Sequence, residues 1–335
     1  MPSQPSNIVI IGASVAGHNL ANPLYPTLPS THRILLIDAL DYSFFPFACL
    51  RAAVVPGWED KVTVPLTTKT VFPSGTAHEV IAPNKVIELR ENSVVLEKPF
   101  EGSTEVTFFR CVIATGASQP SPMRPPPGAT NQKQFVVRSA LNLREKSVTL
   151  TLIPKLRLSI PSLIFYRRSH PHALKSSSNL TWSSPPTNPR LSKSLEQVLT
   201  KLDVNLILDD SVSIPVEDNP SREGEWNGSF GLQNEVKKLN LKSGKEVGLI
   251  ALDGYLKIAS DNPASFLTKN RNYYAVGDAF AVPGLKTAWL ANISATHVAK
   301  NIIDEWLVRP CRSNTWRRLH YLPFLGYLDC WWQRR

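Results

Sequence analysis

The stretch Ile8–Ala21, IVIIGASVAGHNLA, decides how the rest of the chain is read. Asn7–Ile11 is a short β-branched run suited to a strand buried on both faces. Gly12-Ala13-Ser14-Val15-Ala16-Gly17 follows, and then residues compatible with a helix. The spacing is that of G-x-G-x-x-G with serine in the middle position. Gly12 permits a tight turn, and Gly17 lets the helix come close to the strand. A helix opening there presents unpaired N–H groups and a partial positive charge to a pyrophosphate. Ser14 is small enough for the backbone to approach the phosphates, though less freely than glycine. Gly12, Ala13, Ser14, Ala16 and Gly17 are the candidate contacts. The competing reading is an ordinary strand–turn–helix with no ligand.

Residues further along favour the ligand. A second strand, Arg33–Ile37, ends in Asp38, where this pattern places an acid for a ribose hydroxyl. Asp38 capping a loop is the alternative. Val112–Ile113 leads into the small-residue turn Ala114-Thr115-Gly116. Asn272–Val276 is a further strand, ending in Gly277 and Asp278.

The three turns together, in this order, resemble the FAD-binding signature of two-dinucleotide-domain flavoproteins. The resemblance implies an α/β fold with a Rossmann-like FAD domain and a second nucleotide domain. It gives Asp278 the ribityl chain near the flavin phosphate, with Gly277 allowing close backbone approach. Phe44–Ala52 holds one cysteine, Cys49, rather than a redox pair, and ends in Leu50-Arg51-Ala52. That segment, and Gly284–Ala291, resemble the apoptosis-inducing-factor-like group, especially its short ferroptosis-suppressor (AMID-like) members. By this resemblance Arg51 and the Ala48–Ala52 backbone lie near the flavin, and Lys286–Ala288 near its ring edge. On the residues alone, Cys49 reads as a buried small hydrophobe, and Arg51 fits a surface ion pair as well as a cofactor contact. The resemblance covers about residues 1–143 and 190–305. It implies electron transfer from NAD(P)H through FAD to a quinone-like or other small acceptor, chemistry that belongs to the cofactor and needs no nucleophilic side chain.

The second nucleotide fingerprint is missing. Between Gly128 and Gly224 there is no glycine, although a second strand–glycine turn–helix is expected soon after Leu143-Arg144-Glu145-Lys146. The chain instead reads SVTLTLIPKLRLSIP from Ser147 to Pro161, and stays rich in serine and proline to residue 190. Without glycine a βα turn does not easily bring its amides against a pyrophosphate. Three explanations stand: divergence of the domain, an altered reading frame that replaced the second βαβ unit, or another route for NAD(P)H. The abrupt change of composition favours the second. Leu191–Leu202 then has the apolar spacing of an amphipathic helix, and Val204–Asp210 reads as a strand.

The expected layout is a discontinuous FAD domain over 1–140 and 245–305, a degraded NAD(P)H-type domain over 141–244 with 147–190 atypical or disordered, and a basic aromatic tail over 306–335. Hydrophobic content of 42% with 19% charged residues fits a soluble protein. No apolar run is long enough to span a bilayer, and MPSQPSN lacks the basic n-region of a signal peptide. The four cysteines form no CxxC pair, which suits a reducing, cytoplasmic setting and suggests no metal site. His170 and His172 read as solvated loop residues. The net charge of +10 is uneven, with eight Lys/Arg and no acid from Lys146 to Lys193 and six arginines against Asp329 after Trp306. No nucleic-acid motif accompanies these blocks, so no nucleic-acid partner is expected. Trp306, Trp316, Trp331 and Trp332 among the arginines suit peripheral contact with a membrane surface. The alternatives for the tail are packing on the FAD domain or the same reading-frame change. The rival functions are a non-catalytic FAD- or nucleotide-binding protein and a basic membrane-surface protein.

Overall fold

Four apolar runs in the first and last thirds of the chain are buried on both faces, and they become one parallel sheet. The computed structural model describes residues 5–45, 48, 57–58, 60–116, 131–134, 179–182, 193, 197, 200–201, 205–208, 236–240, 246–250, 252–259, 265–267, 271–280 and 287–307. The chain divides into two compact units. One takes in Met1–Asp41, Leu66–Ala117 and Gly224–Arg335; the other takes in Tyr42–Pro65 and Ser118–Glu223.

In the first unit β1 (Ser6–Ile11) leads to α1 (Val15–Leu24) and β2 (His32–Ile37). Pro26 follows one residue after Tyr25 caps α1, and its missing amide ends the helix. In the second unit β3 (Tyr42–Phe44) pairs antiparallel with β4 (Thr63–Pro65). Returning to the first unit, the single turn α2 (Thr68–Val71) precedes β5 (Glu79–Ile81). An antiparallel meander follows: β6 (Val86–Leu89), β7 (Ser93–Phe100) and β8 (Ser103–Thr107). β9 (Arg110–Ile113) then enters beside β1.

Within 147–190, expected to be atypical or disordered, Asn179–Trp182 forms β10. It pairs in parallel with β11 (Asn205–Leu208), which falls inside the strand expected at Val204–Asp210. Parallel neighbours need a crossover, and residues 193, 197 and 200–201 between them are helical, inside the helix expected at 191–202. The expectation named no strand in this interval, which is rich in serine and proline and has no sustained helical period. A short strand needs little more than a partner, and of Asn-Leu-Thr-Trp only Thr181 and Trp182 are strand-favouring types.

In the first unit β12 (Val236–Asn240) and β13 (Glu246–Ile250) form a hairpin. The chain next runs alongside β14 (Tyr273–Ala275), with bridges Ile250–Phe280 and Lys257–Tyr274. The last element is α3 (Ala288–Trp306). The main sheet has the order β14-β9-β1-β2-β5, all parallel. Ile8–Ile11, Ile34–Ile37, Cys111–Ala114 and Tyr273–Val276 are buried, which explains why these strands lack polar alternation. α1 packs against α3, and the small buried residues Ala16, Gly17, Ala21, Ala291, Ala295 and Ala299 let the two helices approach closely. Among the described residues no helix is long and apolar enough to cross a membrane.

The amino edge of the sheet is tied by ions. Arg33, the second residue of β2, is almost fully buried, with its two terminal nitrogens on Glu101 at 2.8 and 2.7 Å and its Nε on Asn7 Oδ1 at 2.7 Å. Arg110 opens β9 and donates to Glu305, in the last turn of α3, at 2.5 Å. Lys257 pairs with the same carboxylate, and Tyr274 Oη donates to it at 2.9 Å. Burial opposes ionisation of Glu305, but the hydrogen bonds from Lys257 and Arg110 and their charges hold its pKa below the usual carboxylate value. These ties make the amino edge a structural one and leave the carboxyl edge for other work.

Candidate dinucleotide-binding site

At the carboxyl edge the strand order reverses about β1. β2 and β5 lie on one side, β9 and β14 on the other. In open parallel sheets the crevice for a ligand forms at such a switch point, because the two neighbouring connections leave in opposite directions. Every glycine turn singled out in the sequence falls on this edge.

Gly12 follows β1 at φ +105°, a conformation that disfavours side chains. A Cβ placed there would lie 2.6 Å from the carbonyl oxygen of Ala114 and 3.1 Å from Thr115 Cα. The first and second turns therefore touch backbone to backbone, and only glycine fits between them. The strand ladders set this approach: Gly12 N–H donates to Ile37 O at 2.8 Å and Ala114 N–H to Ile11 O at 2.8 Å. Gly17 lies in the first turn of α1, where a Cβ would stand 1.9 Å from Gly12 O. The helix start is thus pressed onto the turn.

Ser14 is the N-cap of α1, extended at φ −95°, and its side chain makes no capping hydrogen bond. Serine at this position usually satisfies a first-turn amide. Here those amides keep the helix's N-terminal polarity for an outside acceptor. Ala13 and Ala16 are buried beside them, and Ser14 is exposed.

Asp38 follows β2 and is half-buried. Its Oδ2 accepts from Ala13 N–H at 2.7 Å and its Oδ1 from Leu40 N–H at 2.9 Å. Burial pushes its pKa up, and the amide bonds from Ala13, Leu40 and Ala39 oppose that rise. Asp38 caps its own loop through Leu40 and also reaches the glycine turn through Ala13.

The third turn is Gly277–Ala279, a 3-10 turn after β14. Gly277 has φ +77°, and a Cβ there would lie 3.1 Å from Ala16 Cβ. The third turn is therefore wedged against α1, close to the first. Asp278 is half-buried at its tip. Thr115 is exposed, and Gly116, at φ +69°, has open space where a Cβ would stand. Arg51, Lys286 and Cys49 lie outside the described residues, as do His170, His172 and the tail beyond Leu307.

Two residues hold the third turn and α3 in roles not read from the sequence: Thr287, inside the Lys286–Ala288 stretch expected near the flavin ring edge, and Ser294, which was not singled out. Thr287 caps α3, its Oγ1 accepting from Leu290 N–H at 3.2 Å. A threonine just before an apolar helical run is a legible start signal. Ser294 is fully buried on α3 and accepts from the amide of Gly277 at 3.3 Å. Nothing local in the sequence marks it.

Residues 6–153 match the family described as pyridine nucleotide-disulphide oxidoreductase. Apoptosis-inducing factor 1 of Saccharomyces cerevisiae is 30% identical over 158 residues, covering 45% of this chain and 38% of the yeast protein. The chain thus spans well under two thirds of that relative's length. Fe-regulated protein 8 of Mycosarcoma maydis is 23% identical over 327 residues, 90% of this chain and 81% of that protein. Among solved structures, the sulfide:quinone oxidoreductase of the hyperthermophilic bacterium Aquifex aeolicus superposes with a TM-score of 0.60 at 17% identity, covering 91% of this chain and 78% of that one. At that identity the likeness establishes a shared Rossmann-like α/β fold.

Proposed function

We propose that this chain, whose residues 6–153 match the pyridine nucleotide-disulphide oxidoreductase family, is an FAD-binding oxidoreductase of apoptosis-inducing-factor-like type that takes electrons from NAD(P)H to a quinone-like or other small acceptor. The observation that carries the reading is the cradle at the carboxyl edge. A Cβ at Gly12 would fall 2.6 Å from Ala114 O, and one at Gly17 1.9 Å from Gly12 O. These glycines let the first two turns and the start of α1 close on one another, which brings the first-turn amides of α1 to the switch point where a dinucleotide's diphosphate would lie, so the residues present fit the group.

FAD, when bound, supplies acceptance of a hydride and onward release of electrons. The chain's residues bind and orient. First-turn amides of α1, with Ser14, Ala16 and Gly17, hold the diphosphate. Asp38 accepts from a ribose hydroxyl with the lone-pair capacity that its amide bonds leave. Asp278 holds the ribityl chain, and Ala114–Gly116 close the cradle from the β9 side. Arg51 and Lys286 are proposed to lie against the flavin, by the resemblance in their segments. NAD(P)H binding is weakened, because no glycine stands between Gly128 and Gly224 to form a second phosphate turn. The scattered cysteines, which form no CxxC pair, support a cytoplasmic setting, with the Trp/Arg tail as a peripheral membrane contact. The layout that follows is an FAD domain over 1–140 and 245–305 around a degraded nucleotide domain over 141–244.

The glycine-free interval favours one second reading, a protein that binds FAD without turning over NAD(P)H. Absorption spectra of the purified full-length chain, followed by anaerobic addition of NADH or NADPH, separate the two. A flavin spectrum that bleaches supports the oxidoreductase. A flavin spectrum that survives millimolar donor leaves the non-catalytic reading. A colourless protein that takes up no added FAD overturns both.

A further inference from the structure

We infer that Ser294 is a positioning residue for the third turn, setting the direction in which Asp278 is offered to the dinucleotide; the inference rests on the FAD-binding reading above. Ser294 has no exposure to solvent. Its hydroxyl proton is committed to the helix carbonyl of Ala291 at 3.1 Å, so a lone pair on Oγ faces the Gly277 amide, which donates to it at 3.3 Å. The Val276–Gly277 segment is thereby held from two sides. Val276 N–H donates to Ile113 O in the sheet at 3.0 Å, and Gly277 N–H to the helix hydroxyl.

Space around the turn is tight. The Cβ direction at Gly277 points at Ala16 Cβ, 3.1 Å away, and at Ala291 Cβ, 4.0 Å away. The buried side chains next to Ser294 on α3, Ala291, Ala295 and Val298, carry no polar atom to replace the hydroxyl. Removing it leaves a buried amide without its partner, a state that costs free energy until water or a rotated peptide answers it. The peptide that rotates is Val276–Gly277, one peptide ahead of the one that carries the Asp278 amide, so its rotation turns the backbone leading into Asp278. A turn that spends part of its time rotated offers the acid in the wrong direction, and the apparent affinity for the dinucleotide falls in proportion to the population lost. A purely structural serine lowers stability to the same degree with and without the cofactor and leaves affinity alone.

The test follows FAD release from the full-length holoprotein on dilution, read as recovery of free-flavin fluorescence, together with the dissociation constant for added FAD. The variants are Ser294→Ala, Asp278→Ala, the two combined, and Thr296→Ala. Thr296 also bonds back to its own helix, at 2.9 Å from Asn292 O, but touches no glycine turn and serves as the control. We expect Ser294→Ala to weaken FAD binding about tenfold and Thr296→Ala to leave it unchanged. The double variant binds no more weakly than Asp278→Ala alone, because Ser294 acts through that acid. If Ser294→Ala does not fold, Ser294→Cys keeps the size with a poor acceptor, and the same loss is expected of it. Wild-type affinity in Ser294→Ala or Ser294→Cys overturns the inference, as does full additivity with Asp278→Ala. A wild-type protein without flavin overturns the dinucleotide reading instead.

Discussion

Replacing Gly12 by alanine tests whether the first and second turns meet as closely as the fold requires. The added methyl faces two separate costs. At φ +105° an L-residue is strained, by about 1–2 kcal/mol. The methyl would also lie 2.6 Å from Ala114 O and 2.9 Å from its carbonyl carbon, against a practical floor of 3.0 Å, so the β9 turn must retreat by at least 0.4 Å (3.0 − 2.6). That turn is backbone held in the sheet by Ala114 N–H on Ile11 O, and forcing it aside costs about 1–3 kcal/mol. The expected loss of stability is about 2–5 kcal/mol, a large share of what a domain commonly has, and FAD content should fall with it. Gly116→Ala is the matched comparison, because Gly116 also has positive φ, at +69°, but nothing within 4 Å of a new Cβ. It carries the backbone strain alone, about 1 kcal/mol. Gly17→Ala has no such strain but sets a methyl 1.9 Å from Gly12 O, and should be the most damaging of the three. Denaturant unfolding and flavin content of the three variants check the series. If Gly12→Ala and Gly116→Ala lose the same stability and hold the same flavin, the close contact between the turns is wrong.

Three further outcomes follow. Asp38→Asn puts an NH₂ group against either Ala13 N–H or Leu40 N–H, since both carboxylate oxygens now accept from an amide; FAD affinity should fall at least tenfold, or about 1.4 kcal/mol, and wild-type binding by titration would show that Asp38 does not hold the turn. Glu305→Gln leaves Arg110 and Lys257 without their shared counter-charge, at a cost of about 2–4 kcal/mol at pH 7. Because the folded pKa of Glu305 lies below its unfolded value, its contribution is complete above the unfolded pKa and is lost as pH falls through the folded one. Urea unfolding between pH 7 and 3 should therefore show the gap between wild type and Glu305→Gln closing in acid, and a constant gap would contradict the assignment. His78 accepts from Ile34 N–H on Nδ1 at 3.1 Å, and its Nε2 lies 3.2 Å from Tyr25 O, so the neutral ring protonated at Nε2 fits both contacts. Burial lowers its pKa, with the Tyr25 bond working the other way, so its stability contribution is present above the unfolded pKa and is lost as pH falls through the folded one; an imidazole titration by NMR at or above about 6.5 would refute it.

What the sequence determined by itself is local. Unbroken β-branched runs announced strands buried on both faces, glycines marked turns that only they can make, and a small-residue turn after each of three strands marked where those strands end. The helical residues 193, 197 and 200–201 and the strand Asn205–Leu208 were legible for the same reason, since period and propensity are properties of neighbours in the chain. The missing glycines between 128 and 224 were equally plain, whereas β10 was not, because four residues become a strand only when a partner strand stands beside them. Tertiary structure alone decided what meets across the fold. It set Ala114 O against Gly12, turned Asp38 toward Ala13, and placed Ser294 under Gly277. It also gathered Arg110 and Lys257, far apart in the chain, around the half-buried carboxylate of Glu305. No periodicity records such meetings, because they depend on strand order and helix packing, and those are settled by the burial of the whole core at once.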